Sequence, residues 1–377
     1  MTSRGNGTYK RDINTDAFRQ VGGAIVTYRV SFLSKSTLCI LSLAGCLAGT
    51  QAQADELYVR VVDTGGGLCT ITAAPGQDGS SPAYMIYDAG HWTGSDCINA
   101  VREIIPRGQA IDLFVVSHSD GDHLGQAAAI LDRRKAKAFL RTGFKRDTAS
   151  WKKWNAAVTR QAGEGARDLN LATAPVPPGT AFPLGAAAVT FVAGWPDWTM
   201  TSLSTSERRN AISIVMRLDY AGRSVLFTGD TIGKRLGDGD GACKDAEKVM
   251  VDRSAEIPLR ADVMTAPHHG GNNGSSRCFI DAIQPTSVIF SAGSDDHKHP
   301  TSGAAGRYLA AGVRLENMFR TDRGDDEDGS SSGPKTEWDH GRRPGCTDGR
   351  GDDDVEIRIQ SNGRVSVGYM GPDGPCR

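Results

Sequence analysis

Ser117-His118-Ser119-Asp120-Gly121-Asp122-His123-Leu124-Gly125 is the stretch on which the reading of this chain turns. An apolar run precedes it, Ile111-Asp112-Leu113-Phe114-Val115-Val116. Runs of that kind mark a strand buried on both faces. Next, His123 to Arg134 is rich in Ala, Leu and Ile and ends in a dibasic pair, which predicts a helix. The four polar residues His118, Asp120, Asp122 and His123 therefore fall in a tight turn at the carboxyl end of a buried strand. Open α/β sheets bind their ligands there. Two imidazoles and two carboxylates so close together suit a divalent cation. A polar surface turn is the competing reading of this one cluster. An EF-hand loop is excluded, because counting from Asp120 puts Leu124 fifth and Leu131 twelfth.

The chain repeats the arrangement twice. Arg223 to Asp230 reads Arg-Ser-Val-Leu-Phe-Thr-Gly-Asp, a short apolar strand ending in a carboxylate. Ala261 to Gly271 reads Ala-Asp-Val-Met-Thr-Ala-Pro-His-His-Gly-Gly, a strand ending in His268 and His269. Three buried strands thus deliver metal-ligand residues at the same end, which defines a site.

The order His-x-Asp-x-Asp-His, Thr-Gly-Asp, His-His-Gly, His-Pro resembles the metallo-β-lactamase fold superfamily. Within it, the chain is most similar to the hydrolase domain of the competence protein ComEC and its stand-alone secreted relatives. Val61-Val62-Asp63-Thr64-Gly65-Gly66-Gly67 matches that group's opening strand and Met85-Ile86-Tyr87-Asp88-Ala89-Gly90 its second. Asn210-Ala211-Ile212-Ser213 matches its Asn-rich stretch and Phe319-Arg320-Thr321-Asp322 its closing one. The similarity runs from Leu57 to Asp322 and resumes at Val355 to Val367. It implies an α/β fold, the four-layer αββα metallo-β-lactamase sandwich, over residues 55–377.

The resemblance also implies roles. His118 and Asp120 hold one of two divalent metal ions; Asp122, His123 and one of His268 and His269 hold the other; Asp230 bridges them. A hydroxide between the cations is the nucleophile, which Asp122 orients. The remaining histidine of the pair and His299 contact the phosphate or protonate the leaving group. Two-zinc members usually carry a second histidine where Asp120 stands and a further one where Asn210 stands. A carboxylate and an amide there harden and loosen the first site, and manganese or magnesium join zinc as candidates.

The flanking sequence speaks to compartment. Residues 1–54 combine a polar extension, Arg29 and Lys35, an apolar stretch Thr37 to Ala48, and Ala52-Gln53-Ala54 before Asp55. That is the layout of an export signal, too short to span a bilayer. An over-extended start, with synthesis beginning near Val30, is one reading of the first residues. Leu43-Ala44-Gly45-Cys46 also resembles a lipobox, which would leave a lipidated Cys46. Beyond the signal six cysteines remain, Cys69, Cys97, Cys243, Cys278, Cys346 and Cys376, without CxxC spacing. Disulfides in an oxidising compartment, bacterial periplasm or extracellular space, are the expectation, with unpaired buried thiols as the competing reading.

A chain of 377 residues has ample material for a core, and a net charge of -1 gives no global polyanion-binding footprint. The helix expected at Trp151 to Gln161 interleaves basic residues with tryptophans; its tryptophans are read as packed inward. Gly237 to Gly241 and Asp325 to Gly329 are acidic loops without the calcium ligand pattern. Residues 324–351 read as an acidic Gly/Ser-rich insertion. Neither a Gly-x-Ser-x-Gly elbow nor a catalytic cysteine signal is present. The expected function is phosphodiester hydrolysis, extending to nucleic acid, with no transmembrane segment in the mature chain and no specified oligomeric state. The alternatives are hydrolysis of a lactam, lactone, thioester or phosphocholine ester, and a non-catalytic binding module.

Overall fold

The computed structural model describes residues 56–194, 203–293, 299–321 and 354–370. The expected export segment with Cys46, His297, the 324–351 insertion, Cys346 and Cys376 lie outside the described residues. The strands are β1 (Glu56–Val61), β2 (Cys69–Ala74), β3 (Ala83–Ala89), β4 (Leu113–Val116), β5 (Ala138–Arg141), β6 (Arg167–Asn170), β7 (Ala181–Leu184) and β8 (Ala187–Ala193). They continue with β9 (Val215–Tyr220), β10 (Arg223–Phe227), β11 (Val263–Thr265), β12 (Ser287–Phe290), β13 (Met318–Arg320), β14 (Val355–Gln360) and β15 (Val365–Tyr369). One sheet has the order β15-β14-β1-β2-β3-β4-β5-β6 and the other β13-β12-β11-β10-β9-β8-β7.

Side-chain alternation shows how the sheets stack. In β4, Leu113 and Val115 join the core between the sheets, whereas Phe114 and Val116 face the helices Asp96–Ile104, Ala127–Leu131 and Ala149–Gly163. In β12, Ile289 points to the central core, while Val288 and Phe290 pack with Phe279, Ile280 and Tyr308 of the outer helices. Each central strand is covered on both faces. At roughly 1.5–3 kcal/mol per buried apolar side chain, neither face tolerates a charge, hence the apolar runs in the sequence. The result is the expected αββα sandwich. The β9–β10 hairpin turns at Ala221 and Gly222, both with positive φ (49° and 74°), as a two-residue turn requires.

One expectation is corrected. His123 to Arg134 is not a continuous helix but two short ones, Gly121–Leu124 and Ala127–Leu131. The backbone N–H groups of Gly125 and Gln126 donate to Gly90 O and Ala89 O across the loop after β3 instead of up the helix. The approach there is so close that a Cβ on Gly125 would lie 2.3 Å from Trp92 N. The break ties the ligand loop to the end of β3. Trp154, by contrast, is packed inward as expected, 5.3 Å from the Phe114 ring.

The four described cysteines form two disulfides, Cys69–Cys97 and Cys243–Cys278, closing loops of 28 and 35 residues. By the chain-entropy relation each contributes roughly 3–4 kcal/mol. They fit an oxidising compartment. Among the described residues no helix is long and apolar enough to cross a membrane. In the Gly237–Gly241 loop, Asp238 accepts from Lys244 Nζ at 2.8 Å and Asp240 from Arg307 at 2.9 Å, so protein cations serve these carboxylates.

Candidate metal centre

The strand polarity gathers the site. β3, β4 and β5 run parallel in one sheet and β10 to β13 in the other. The segments after β3, β4, β10, β11 and β12 meet at one end of the sandwich. Backbone hydrogen bonds fix them together: Leu68 N donates to Asp122 O at 3.2 Å, Ile214 N to Ser117 O at 2.9 Å, and His268 N to Gly229 O at 3.0 Å. His268 and His269 sit on consecutive left-handed residues, φ 51° and 56°. Such backbone costs of order 1–3 kcal/mol per residue and persists where its surroundings enforce it. Here the turn aims two adjacent imidazoles at one carboxylate, that of Asp230.

Asp230 is the centre of the arrangement. Its Oδ1 lies 3.1 Å from His123 Nε2 and 3.4 Å from His269 Nε2. Its Oδ2 lies 3.7 Å from His118 Nε2 and 3.8 Å from His268 Nε2. Asp122 faces the first pair, with Oδ2 3.6 Å from His123 and 3.5 Å from His269. Ligand atoms of Asp122, His123, Asp230 and His269 all lie within 4.8 Å of one another.

The outer nitrogens of the four imidazoles decide what the inner ones are. His269 Nδ1 is 2.6 Å from the carbonyl of Ser291, which can only accept, so Nδ1 donates. His123 Nδ1 donates to the Asp88 carboxylate at 2.8 Å and His268 Nδ1 to the Asn273 amide oxygen at 2.6 Å. Ser117 Oγ gives its proton to Asp88 and so accepts from His118 Nδ1 at 3.1 Å. In neutral rings all four Nε2 atoms then carry lone pairs pointing inward. The Nε2 atoms of His123 and His269 are only 3.1 Å apart, and His118 Nε2 and Asp230 Oδ1 are buried without a hydrogen-bond partner. Lone pairs and carboxylates converging this way require positive charge between them, so the donor set fits divalent cations.

Without a cation, protons take that place. Burial disfavours charge on His123, but Asp230, Asp88 and Asp122 outweigh it and hold His123 well above the ordinary histidine range. Burial likewise opposes, and Asp230 and Asp122 support, the raised His269. Burial and the neighbouring His123 keep His118 below that range. Burial raises and the imidazoles lower Asp230, which ends well below the usual carboxylate range. A cation must displace the protons on His123 and His269, so its binding releases protons and weakens as pH falls. Calorimetric titration with manganese or zinc in buffers of different ionisation enthalpy is expected to show that release. Buffer-independent heats with pH-independent affinity would contradict it.

Seven of the nine candidate residues, Asp120, Asp122, Asn210, Asp230, His268, His269 and His299, line a cleft of about 620 Å³. His118 and His123 lie beneath it, fully buried. The His299 ring is 5.5 Å from that of His268. Asn210 Nδ2 donates to His268 Nε2 at 3.1 Å, and its Oδ1 is buried without a partner. Asp120 stands at the margin: Oδ2 is 3.9 Å from His118 Nε2, while Oδ1 accepts from Arg146 and Arg209, both at 2.6 Å. Trp92, 57% exposed, and Leu236, 72% exposed, rim the mouth. Sequence reasoning missed Asp88, Ser117, Asn273 and Ser291, which orient the imidazoles. For Asp88 the available signal was its place at the carboxyl end of a predicted strand.

Basic side chains do not crowd this cleft. Lys135 pairs with Glu164, Lys137 with Asp112 and Lys152 with Asp147, and Arg209 is turned to Asp120.

An αββα sandwich carrying an imidazole–carboxylate nest at the carboxyl ends of its strands is the frame of a metal-dependent hydrolase. The chain belongs to the metallo-β-lactamase superfamily, whose family model matches residues 83–293, more than half of its length. Among curated relatives it is 31% identical to competence protein ComA of Neisseria gonorrhoeae over 133 residues, 34% of this chain and 17% of that one. It is 24% identical to ComE operon protein 3 of Bacillus subtilis over 260 residues, 65% of this chain and 29% of that one. The chain therefore spans less than a third of the length of these relatives. Among solved structures, the metallo-β-lactamase fold protein YhfI of Bacillus subtilis aligns with TM-score 0.41 and 11% identity, covering 70% of this chain and 95% of that one.

Proposed function

We propose that this chain is an exported phosphodiesterase that works with two divalent metal ions, zinc or manganese. The observation that carries the reading is the division of Asp230: one carboxylate oxygen faces His123 and His269, the other His118 and His268. Two neighbouring places for a cation result. His123, His269, Asp122 and one oxygen of Asp230 would hold the first. His118, His268 and the other oxygen would hold the second, with Asp120 and Asn210 beside them. Bound there, paired cations lower the pKa of water towards ~7 and stabilise charge on phosphoryl oxygens.

The chain's own residues do the rest. Asp122 is ionised, since His123 and His269 outweigh desolvation and keep it below the usual carboxylate range. It faces the cleft and orients the attacking water. His299, in the cleft wall with its ring 5.5 Å from that of His268, would contact the phosphate or return a proton to the leaving oxygen. Carboxylates of Asp122 and Asp230 among the imidazoles admit manganese beside zinc, and such cations suit phosphoryl oxygens. Export is supported by the two disulfides and the signal-like segment before Asp55.

Metal-loaded protein is expected to hydrolyse bis-p-nitrophenyl phosphate, to lose that activity in EDTA and to regain it with manganese or zinc. The panel includes a lactam, a lactone and single-stranded DNA. Turnover of the lactam or lactone with every phosphodiester untouched would overturn the reading.

A further inference from the structure

Elsewhere among the described residues most arginines are neutralised by a carboxylate. Arg60, Arg141, Arg146, Arg160, Arg209, Arg307 and Arg358 all have one within 4 Å. One groove of about 780 Å³ breaks that pattern, because Arg102, Arg107, Arg133 and Arg134 all line it and no acidic residue does. Arg102 donates to the Asn99 amide oxygen, Arg133 to Ala129 O and Arg134 to Ile105 O. None of the four has a carboxylate partner among the described residues. The floor includes buried Ile130, so the groove is a concavity rather than a flat charged face.

The groove runs between the helices Asp96–Ile104 and Ala127–Leu131, from the side of the metal cleft towards the amino ends of β4 and β5. Ile98 in its wall donates its backbone N–H to Gln126 Oε1 at 3.1 Å, and Gln126 Nε2 donates to the carbonyl of His91, in the cleft wall, at 3.1 Å. One buried side chain joins the two cavities. From Ile98 the helix runs on for about 9 Å to Ile104, past Arg102.

We propose that this arginine groove holds the phosphate backbone of a polymeric phosphodiester, single-stranded nucleic acid, outside the catalytic cleft. The inference rests on the phosphodiester reading for its choice of polymer. Guanidinium forks match phosphate oxygens in pairs, and an arginine without a carboxylate keeps its full charge for a ligand. The arginines nearest the metal cleft are held by Asp120, so a strand that reaches past Ile98 gains its phosphate contacts along this groove. The chain's near-neutral net charge then reflects segregation of charge, not its absence.

The test is fluorescence anisotropy of a labelled single-stranded oligonucleotide in EDTA, where no cleavage occurs. Wild-type protein is compared with Arg102→Gln/Arg107→Gln/Arg133→Gln; Arg134 is kept because it bonds Ile105 O. The variant is expected to bind at least about tenfold more weakly and to lose about 2 from the slope of log affinity against log salt, at about 0.7 per phosphate contact. Its hydrolysis of bis-p-nitrophenyl phosphate with metal is expected to stay unchanged. The Arg→Lys triple variant, which keeps charge, is expected to retain the slope and so separates misfolding from lost contacts. Unchanged oligonucleotide affinity and slope overturn the proposal, as does a variant that loses binding only to phosphatidylglycerol vesicles. Groove-dependent binding by a protein that cleaves only a lactone would leave the groove standing and sink the phosphodiesterase reading instead.

Discussion

Asp230→Asn is expected to lower turnover of bis-p-nitrophenyl phosphate by about 10³-fold and to cut metal content at both places. Among the described residues Asp230 alone faces all four imidazoles, with distances from 3.1 to 3.8 Å shared between its two oxygens. An amide keeps the shape and loses the charge. Its nitrogen faces one pair of Nε2 lone pairs, where it donates hydrogen bonds and fills the place of a cation. Catalytic cations are worth several kcal/mol of transition-state stabilisation, and each 1.36 kcal/mol is a factor of ten. Loss of Asp120 is expected to be milder, because that carboxylate is shared with Arg146 and Arg209. Metal analysis after dialysis and kcat against metal concentration check the claim. An Asp230→Asn protein with unchanged metal content and turnover within tenfold would remove Asp230 from the centre of the site.

The fold was legible because its causes are local. Each central strand must be apolar on both faces, so Leu113 to Val116, Val225 to Phe227 and Val263 to Ala266 stand out as runs. Donor residues directly after such runs identify the site end, which is why His118, Asp122, His123, Asp230, His268 and His269 were all readable. The division of labour within the histidine pair was not. Both rings point at Asp230, one at each oxygen, through two successive left-handed residues that only tertiary contacts enforce.

Supporting contacts were invisible for a different reason. The Ser291 carbonyl that fixes His269 is a backbone atom, and any residue type supplies one. Asn273 holds His268 from five residues on, in a loop without periodicity. The break at Gly125 depends on carbonyls of Ala89 and Gly90, some 35 residues away, and no helix propensity registers them. Charge gave the same difficulty. Arg133 and Lys135 look alike in sequence, yet Lys135 is paired with Glu164 while Arg133 joins an unneutralised groove. Composition counts charges, and only the fold says which remain available.

Asp88→Asn carries the second large expected effect, although Asp88 touches no substrate. Three donors converge on its carboxylate: Ser117 N at 2.6 Å and Ser117 Oγ at 2.7 Å, with His123 Nδ1 at 2.8 Å. A carboxylate can accept from all three. An asparagine has one accepting oxygen, and its amide nitrogen must confront a donor. If the oxygen keeps the Ser117 N–H, the amide nitrogen faces Ser117 Oγ and His123 Nδ1. The ring then relieves the clash by placing its proton on Nε2, the atom aimed at Asp230, where a cation would bind. Partners of this kind typically cost 10–100-fold in metal affinity or activity when changed. The expected result is therefore a loss of 10–100-fold in affinity for one of the two cations, with turnover largely restored at high metal concentration. That restoration separates an orienting role from a catalytic one, since excess metal repopulates a weakened site but does not replace a missing reacting group. Chemical denaturation of the metal-free variant controls for folding. A variant with wild-type metal affinity and an unchanged metal-activation curve would show that His123 holds its tautomer without Asp88.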